Sequence, residues 1–443
     1  VFCAHGFSTA LNLAEVRDMM VRGAFSSLIV LLAVSTATAQ TPTAGDWPCY
    51  LGPDRNGISA ETNINTDWLK QPPKLVYRVP LGAGFSSLCV VGERVYTQTS
   101  RDDREWVVAC DAATGREVWS RPICPVFTDT QGQGAGPRAT PTFVDGQLFC
   151  LFPGGDLACL NAADGQLLWN VNIVTAVKAE DRSKETFFWG LSQSPLVEGD
   201  RVIVCPGGSQ NNSVIGVDRK TGQVVWAGGS DPPGYGTPIL IKHSGVTQAV
   251  VVGGQSLMAF DPTSGKPLWR APVGNKYNCN CATPLFVGER LFYSAAYGTG
   301  ATLIELTLKD DKWTPKPRWT NLQLQNQMST SIVLDGHIYG CNGDLGATNL
   351  RCLDLLKGTV KWIERAPGKC TLIAAAGHLI ALSEDGTLRL IEANPAKYVE
   401  KGKIDRALTA TAWTPPALSR GKLYLRDRAE LFCVDISGKA EQK

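Results

Sequence analysis

The sequence predicts an all-β fold, an eight-bladed β-propeller of four-stranded antiparallel blades whose N-terminal strand closes the last blade. Three observations predict it. A turn-and-tryptophan pattern recurs along most of the chain, a simpler hairpin signal occurs eight times in step with it, and the apolar runs between the turns are short enough to be strands.

The first pattern is Asp or Asn, two residues, a polar residue, Gly, three residues and Trp. Its copies start at Asp111, Asn161, Asp218, Asp261 and Asp354 and end at Trp119, Trp169, Trp226, Trp269 and Trp362. A degenerate copy has Asp310-Asp311 and Trp319 without a turn Gly. Successive tryptophans are 43 to 57 residues apart, a period that means solenoids or propellers. The chemistry is that of a hairpin: the Asp or Asn side chain closes a tight turn, and Gly takes the φ > 0 position. Apolar strands such as Val107-Val108-Ala109-Cys110 and Leu257-Met258-Ala259-Phe260 precede the turns.

The second signal is an apolar strand, a small turn and another apolar strand. Its turns contain Gly92, Gly146, Gly199, Gly245, Gly288, Gly336, Gly377 and Gly421. Two hairpins per period make four strands, which is one blade, and eight copies make eight blades of about 46 residues each. The last blade lacks a Trp-bearing strand after Asp435. An orphan strand around Tyr77 stands ready to supply it, with Tyr77 at the Trp position. Closure of this kind removes open sheet edges. The seventh copy, Glu392-Ala393-Asn394-Pro395, has no Trp. The expected organisation is therefore upstream residues and signal peptide (1–39), an N-terminal extension (40–70), the propeller (71–438) and a tail (439–443).

Met20-Val21-Arg22 precedes an apolar run over residues 24–34, and Ala37-Thr38-Ala39 precedes Gln40. This reads as a secretory signal peptide cleaved after Ala39, which places the protein in the periplasm or outside the cell. The run is too short to span a bilayer, so no transmembrane segment is expected. Forty-three Lys+Arg against 41 Asp+Glu leave a net charge of +2, with no pull toward nucleic acid. A hydrophobic share of 44% supplies a core, and 19% charged is too little for disorder.

These residues resemble the pyrroloquinoline-quinone (PQQ)-like propeller family. Its tryptophan-docking repeat is similar to Ala109, Asp111, Gly115 and Trp119, and again to Ala259, Asp261, Gly265 and Trp269. The opening Trp47-Pro48-Cys49-Tyr50-Leu51-Gly52-Pro53-Asp54-Arg55-Asn56-Gly57 is similar to the leader of secreted bacterial members, many of them planctomycete. The resemblance covers roughly residues 46–438 and implies the propeller fold. The family holds quinoprotein alcohol dehydrogenases and also non-catalytic members, among them the outer membrane protein assembly factor BamB, a scaffold lipoprotein. The repeat is specific for the fold and says little about activity.

Trp119, Trp169, Trp226, Trp269, Trp319 and Trp362 read as packing devices between neighbouring sheets rather than as cofactor platforms. Cysteines are numerous, 14 in all. Cys159, Cys352 and Cys433 fall where Ala109, Gly216 and Ala259 stand in other blades, which suits a small buried group. Cys279-Asn280-Cys281 has no repeat role. We expect its two thiols to point apart, so a bridge there is the lesser reading and a metal site less again.

Long connections after the Trp strands, over residues 122–138 and 171–189, raise a rim on one face. Loops on a rigid scaffold are where binding usually sits. Small hydroxyls open the inner strands at Ser86, Thr140, Ser194, Thr237, Thr283, Thr330 and Thr371, and are expected to ring the central channel. Their plain role is to satisfy backbone groups; the sharper reading is a polar funnel with Arg138, Trp189, Thr237 and Trp413 at its mouth. By the resemblance, a quinoprotein enzyme uses a vicinal Cys-Cys pair beneath the quinone, Ca²⁺ on hard oxygen ligands and an Asp base. No Cys-Cys occurs here, and the rim acids Asp129, Glu180, Asp181 and Glu185 show no metal-cage spacing. The sequence is thus read as a non-catalytic, monomeric envelope propeller. It would bind a protein, polymer or small molecule on its looped face, with no catalytic residues, metal or cofactor. The alternatives are a PQQ- and Ca²⁺-dependent oxidoreductase and a ligand-sensing propeller.

Overall fold

The computed structural model describes residues 40–179, 189–344 and 346–438. The signal peptide, its cleavage after Ala39, the acids Glu180, Asp181 and Glu185 and the tail lie outside the described residues. Eight four-stranded antiparallel sheets succeed one another along the chain. Blades one to seven cover residues 89–125, 142–172, 196–228, 239–272, 285–321, 332–364 and 370–404. Blade eight combines residues 417–435 with the strand Lys74–Pro80, which pairs with Glu430–Asp435. The ring is closed by its first and last strands. The described helix is a single turn, Ile173–Ala176.

The repeat turn works as hydrogen-bonding chemistry requires. Asp111 Oδ1 accepts from the backbone N–H of Ala113 and Thr114 and from the Thr114 hydroxyl. The hydroxyl bond holds the Asp111 carboxyl below its ordinary range. Asp218 and Asp261 repeat this set with Thr221 and Ser264. Gly115, Gly165, Gly222, Gly265 and Gly358 all have φ between 67° and 75°. In the degenerate copy, Asp310 and Asp311 both take positive φ and make the tight turn without glycine.

The core is divided into layers between neighbouring sheets. Val107 and Ala109 of blade one, for example, pack with Leu148, Cys150 and Phe152 of blade two. At the outer end of most layers stands an indole. Trp119 lies opposite Ala109, Trp169 opposite Cys159, Trp226 opposite Gly216 and Trp362 opposite Cys352, so the small residues make room for the rings. Each ring reaches over the next blade. Trp119 Nε1 donates to Ala162 O at 3.1 Å, Trp169 to Arg219 O at 2.9 Å, Trp226 to Pro262 O at 3.2 Å, Trp319 to Leu355 O at 2.9 Å and Trp362 to Asn394 O at 2.9 Å. For Trp119, Trp169, Trp226 and Trp319 the turn glycine of that next blade is the seat for the ring. A Cβ on Gly165 would lie 2.5 Å from Trp119, and one on Gly265 would lie 2.4 Å from Trp226. Tyr77 sits the same way over Gly115, so the closing strand repeats the joint between blades eight and one. Trp269 faces the blade that lacks the glycine turn, and its N–H bonds Gln248 of its own blade instead.

Blade seven has Gly402 where blades one to six have Trp, opposite Leu390. The N-terminal extension lays Trp68 against this position, within the core shared by blades seven, eight and one. Trp68 is 2% exposed and packs so closely that a Cβ on Gly402 would lie 2.6 Å from its own. The adjacent Leu69 N–H donates to Lys401 O.

The rest of the extension fills the centre of the ring. Trp47 pairs with Val90 of blade one, Pro48 O accepts from Phe143 of blade two, and Gly57 O accepts from Ala374 of blade seven. Arg55 donates to Pro195 O at 2.6 Å, ahead of blade three, and to Thr142 Oγ1 of blade two. The expected open channel is therefore plugged by residues 47–57. The hydroxyls do not line it as a free ring either. They form a belt between blades: Thr140 Oγ1 accepts from Ser87 N, Ser194 Oγ from Thr140 N, Thr237 Oγ1 from Ser194 N, and Thr330 Oγ1 from Thr283 N. The donor in blade one is Ser87; Ser86 turns instead to the neighbouring strand at Gln98 N.

Candidate functional site

Above the plug lies a funnel of about 790 Å³. All eight connections between one blade's outer strand and the next blade's inner strand contribute to it. In chain order they bring Phe85, Arg138, Trp189, Tyr235, Tyr277, Gln327, Lys369 and Trp413, with further residues from the same loops. Tyr50, from the plug, forms part of its lining, and burial pushes the Tyr50 hydroxyl up to about 12. The site is open on the looped face and closed beneath, as small-molecule pockets on rigid scaffolds commonly are.

Arg138, Trp189, Thr237 and Trp413 all line this one cavity. Arg138 is held by the buried Asp129 carboxylate at 3.1 Å and by Gly136 O. Burial lowers its affinity for the proton, and Asp129 opposes that effect. Asp129 Oδ1 also accepts from Gln131 N and Gln133 N, so one carboxylate folds the loop that carries three lining residues. The Arg138 guanidinium lies over Phe85, 5.4 Å from the ring centre. Phe85 stacks on Trp413 at 4.9 Å and 24°. Glu384 accepts from Trp413 Nε1 and pairs with Lys369 at 3.5 Å, and Lys369 lies 5.3 Å from the Trp413 ring. Across the cavity Trp189 meets Tyr235 edge-on at 5.6 Å, and Tyr277 meets Tyr297 edge-on at 5.2 Å. The wall is thus a set of fixed aromatic rings, with amides at Gln131, Gln133 and Gln327 between them.

The six repeat tryptophans, Trp119 to Trp362, lie outside the funnel at the joints between blades. Sequence reasoning missed Tyr50, Phe85, Tyr235, Tyr277, Tyr297, Lys276 and Lys369. A signal existed for some of them: Phe85 immediately precedes Ser86, and Tyr235 stands two before Thr237.

The donor set of the described residues does not suit a quinone with its calcium ion. Among the described residues, the funnel carries one carboxylate residue, Asp344, while Asp129 is committed to Arg138. Among the described residues, no three of His, Cys, Asp or Glu gather where they could hold a metal ion. Cys279 and Cys281 line the funnel as thiols two residues apart.

Fold and funnel define the class: a closed propeller of the PQQ-like type with its cavity on the looped face. The family model that matches, over residues 103–364, is that of outer membrane protein assembly factor BamB, and the chain belongs to that family. Outer membrane protein assembly factor BamB of Shewanella oneidensis is 24% identical over 347 residues, covering 74% of this chain and 78% of its own. Among solved structures, BamB from Moraxella catarrhalis superposes with a TM-score of 0.58 at 15% identity, over 82% of this chain and 99% of that one. Quinohemoprotein alcohol dehydrogenase from Comamonas testosteroni gives 0.61 at 13% identity, over 90% and 82%. At these identities the two structures show a shared fold.

Proposed function

We propose that the protein is a non-catalytic binding propeller of the cell envelope that receives its partner on the looped face. The observation that carries this reading is the funnel: open on one side, plugged on the other, and lined by rings and amides already fixed by their own neighbours. Rigid aromatic surface binds with little ordering cost. The relatives' name, an outer membrane protein assembly factor, supports a scaffold role in the envelope. Among the described residues no helix is long and apolar enough to cross a membrane. A signal peptide ending at Ala39 and export to the periplasm complete the proposal. The partner is an envelope protein, a polymer or a small molecule, and no cofactor is required.

The test has two arms. The purified protein is mixed with PQQ and Ca²⁺, and its absorbance and dye-linked alcohol oxidation are recorded. No retained quinone and no turnover are expected; quinone uptake with turnover would establish an oxidoreductase instead. In the second arm, a photo-crosslinking residue replaces Gln133 or Tyr277 in the native envelope, with Lys357 on a repeat turn as the control. Adducts from the funnel positions alone are expected, and equal labelling from Lys357 would remove the funnel as the site.

A further inference from the structure

Thirteen cysteines are described, none of them in a disulfide, and twelve are buried. Cys281 is the partly exposed one, and its neighbour two residues back lines the same funnel. Their sulfurs are 3.7 Å apart. The expectation that they point apart is corrected here. In an extended chain, residues two apart share a side, and only successive ones alternate. Cys279-Asn280-Cys281 follows that rule on the connection between blades four and five. Asn280 Nδ2 donates to Gly253 O and Gly254 O at 2.9 Å, which pins the middle side chain onto blade four. The flanking sulfurs meet at the funnel.

The connection is built to hold them there. Asn275 Oδ1 accepts from Cys279 N, and Asn275 Nδ2 donates to Cys279 O and to Asn280 Oδ1. Asn278 takes a positive φ of 53° just before the pair. The thiols are in hydrogen-bond contact, which favours a thiolate on Cys279 and holds the proton on Cys281. The Tyr297 hydroxyl adds to the stabilisation of Cys279. A thiol that loses its proton more readily, beside one that keeps its own, is an arrangement suited to starting thiol–disulfide exchange.

We propose that Cys279 and Cys281 form a reversible dithiol–disulfide couple in the funnel wall, oxidised by exchange with a disulfide-bearing molecule that enters the funnel. The Cys279 thiolate attacks one sulfur of the incoming disulfide. A mixed disulfide forms, and the other half of the molecule leaves as a thiolate. That thiolate takes the Cys281 proton. The Cys281 sulfur then attacks Cys279 Sγ, forms the internal bond and expels the second half, which takes a proton from solvent in place of the one Cys279 had lost. Two electrons and two protons have passed from the protein to the small disulfide, and both of its halves depart as thiols. Closing the bond needs the sulfurs to approach from 3.7 Å to about 2.05 Å. The inference is independent of what the funnel binds otherwise.

The nearest competing pair is Cys341 and Cys370. Cys370 N donates to Cys341 Sγ at 3.4 Å, and both residues are buried. The experiment separates the two pairs. The purified protein is equilibrated with oxidised glutathione, its free thiols are alkylated after unfolding, and its peptides are mapped by mass spectrometry, before and after dithiothreitol. We expect one internal disulfide, Cys279–Cys281, that forms in glutathione and reverts in dithiothreitol. In C281S, glutathione should remain attached at Cys279, since no neighbour can displace it. Cys279 and Cys281 still fully alkylated after oxidation would overturn the proposal. So would a wild-type protein that retains glutathione, or a bond joining Cys341 to Cys370 instead. The wild-type map decides the matter even if C281S does not fold.

Discussion

The joint between blades three and four and the joint at blade seven do the same work with different parts. In the first, Trp226 comes from the repeat, sits over Gly265 and bonds Pro262 O. In the second, the repeat offers only Gly402, and Trp68 arrives from more than three hundred residues earlier in the chain. The difference teaches that the wedge is defined by a volume to be filled, not by the segment that fills it. A repeat unit can lose its ring when a non-repeated segment passes close enough to replace it.

The sharpest way to break this comparison is to remove residues 40–70. The truncated chain loses both Trp68 and the plug. We expect a larger drop in melting temperature than from any single substitution, measured by circular dichroism or calorimetry. Next come the single rings. Trp226→Ala, Trp269→Ala and Trp68→Ala should each cost on the order of 3–5 kcal/mol in denaturant unfolding, as large core truncations do. A Trp68→Ala cost near zero would show that blade seven does not use the borrowed ring.

Smaller effects sharpen the role of the glycine seat. Gly165→Ala should destabilise by roughly 1–3 kcal/mol, since the new methyl meets Trp119 as well as an unfavourable φ. Gly377 has a similar φ of 70° and open space around it, so Gly377→Ala should cost about 1 kcal/mol. Equal losses in the two variants would mean that the ring contact contributes nothing.

The smallest expected effect concerns the loop that carries Arg138. Glu105 is fully buried, and one of its oxygens accepts from Phe127 N. Burial pushes its carboxyl up from 4.5 to about 7. The folded state therefore binds more protons than the unfolded state between these values, and stability falls as pH rises through that window. Glu105→Gln should flatten this slope, raising the melting temperature at pH 8 relative to wild type while changing it little at pH 5.

The fold was legible because each repeat writes its joint in local chemistry. Asp111, Gly115 and Trp119 specify a turn, a seat and a ring within nine residues, and five nearly intact copies reinforce one another. The plug was not legible in that way. Trp47, Arg55 and Trp68 occur once each, and their partners in blades one, three and seven are remote in sequence. The funnel lies between these cases. Arg138, Trp189, Thr237 and Trp413 could be selected because they stand on long loops or at inner-strand starts. Tyr50 could not, because its place depends on the plug. The side taken by Cys279 and Cys281 followed from simple alternation, which the expectation had misapplied.

The closing strand has a consequence for how the molecule is made. Lys74 pairs with Asp435, and Pro80 with Glu430. No other sheet needs partners so distant along the polypeptide. High contact order slows folding because loop closure must precede its reward. Seven sheets can assemble as the chain elongates, while the latch waits for the C-terminal strand to emerge. Until then Tyr77 has no Cys433 to stand against, and the nascent circle exposes an open flank to chaperones and proteases alike.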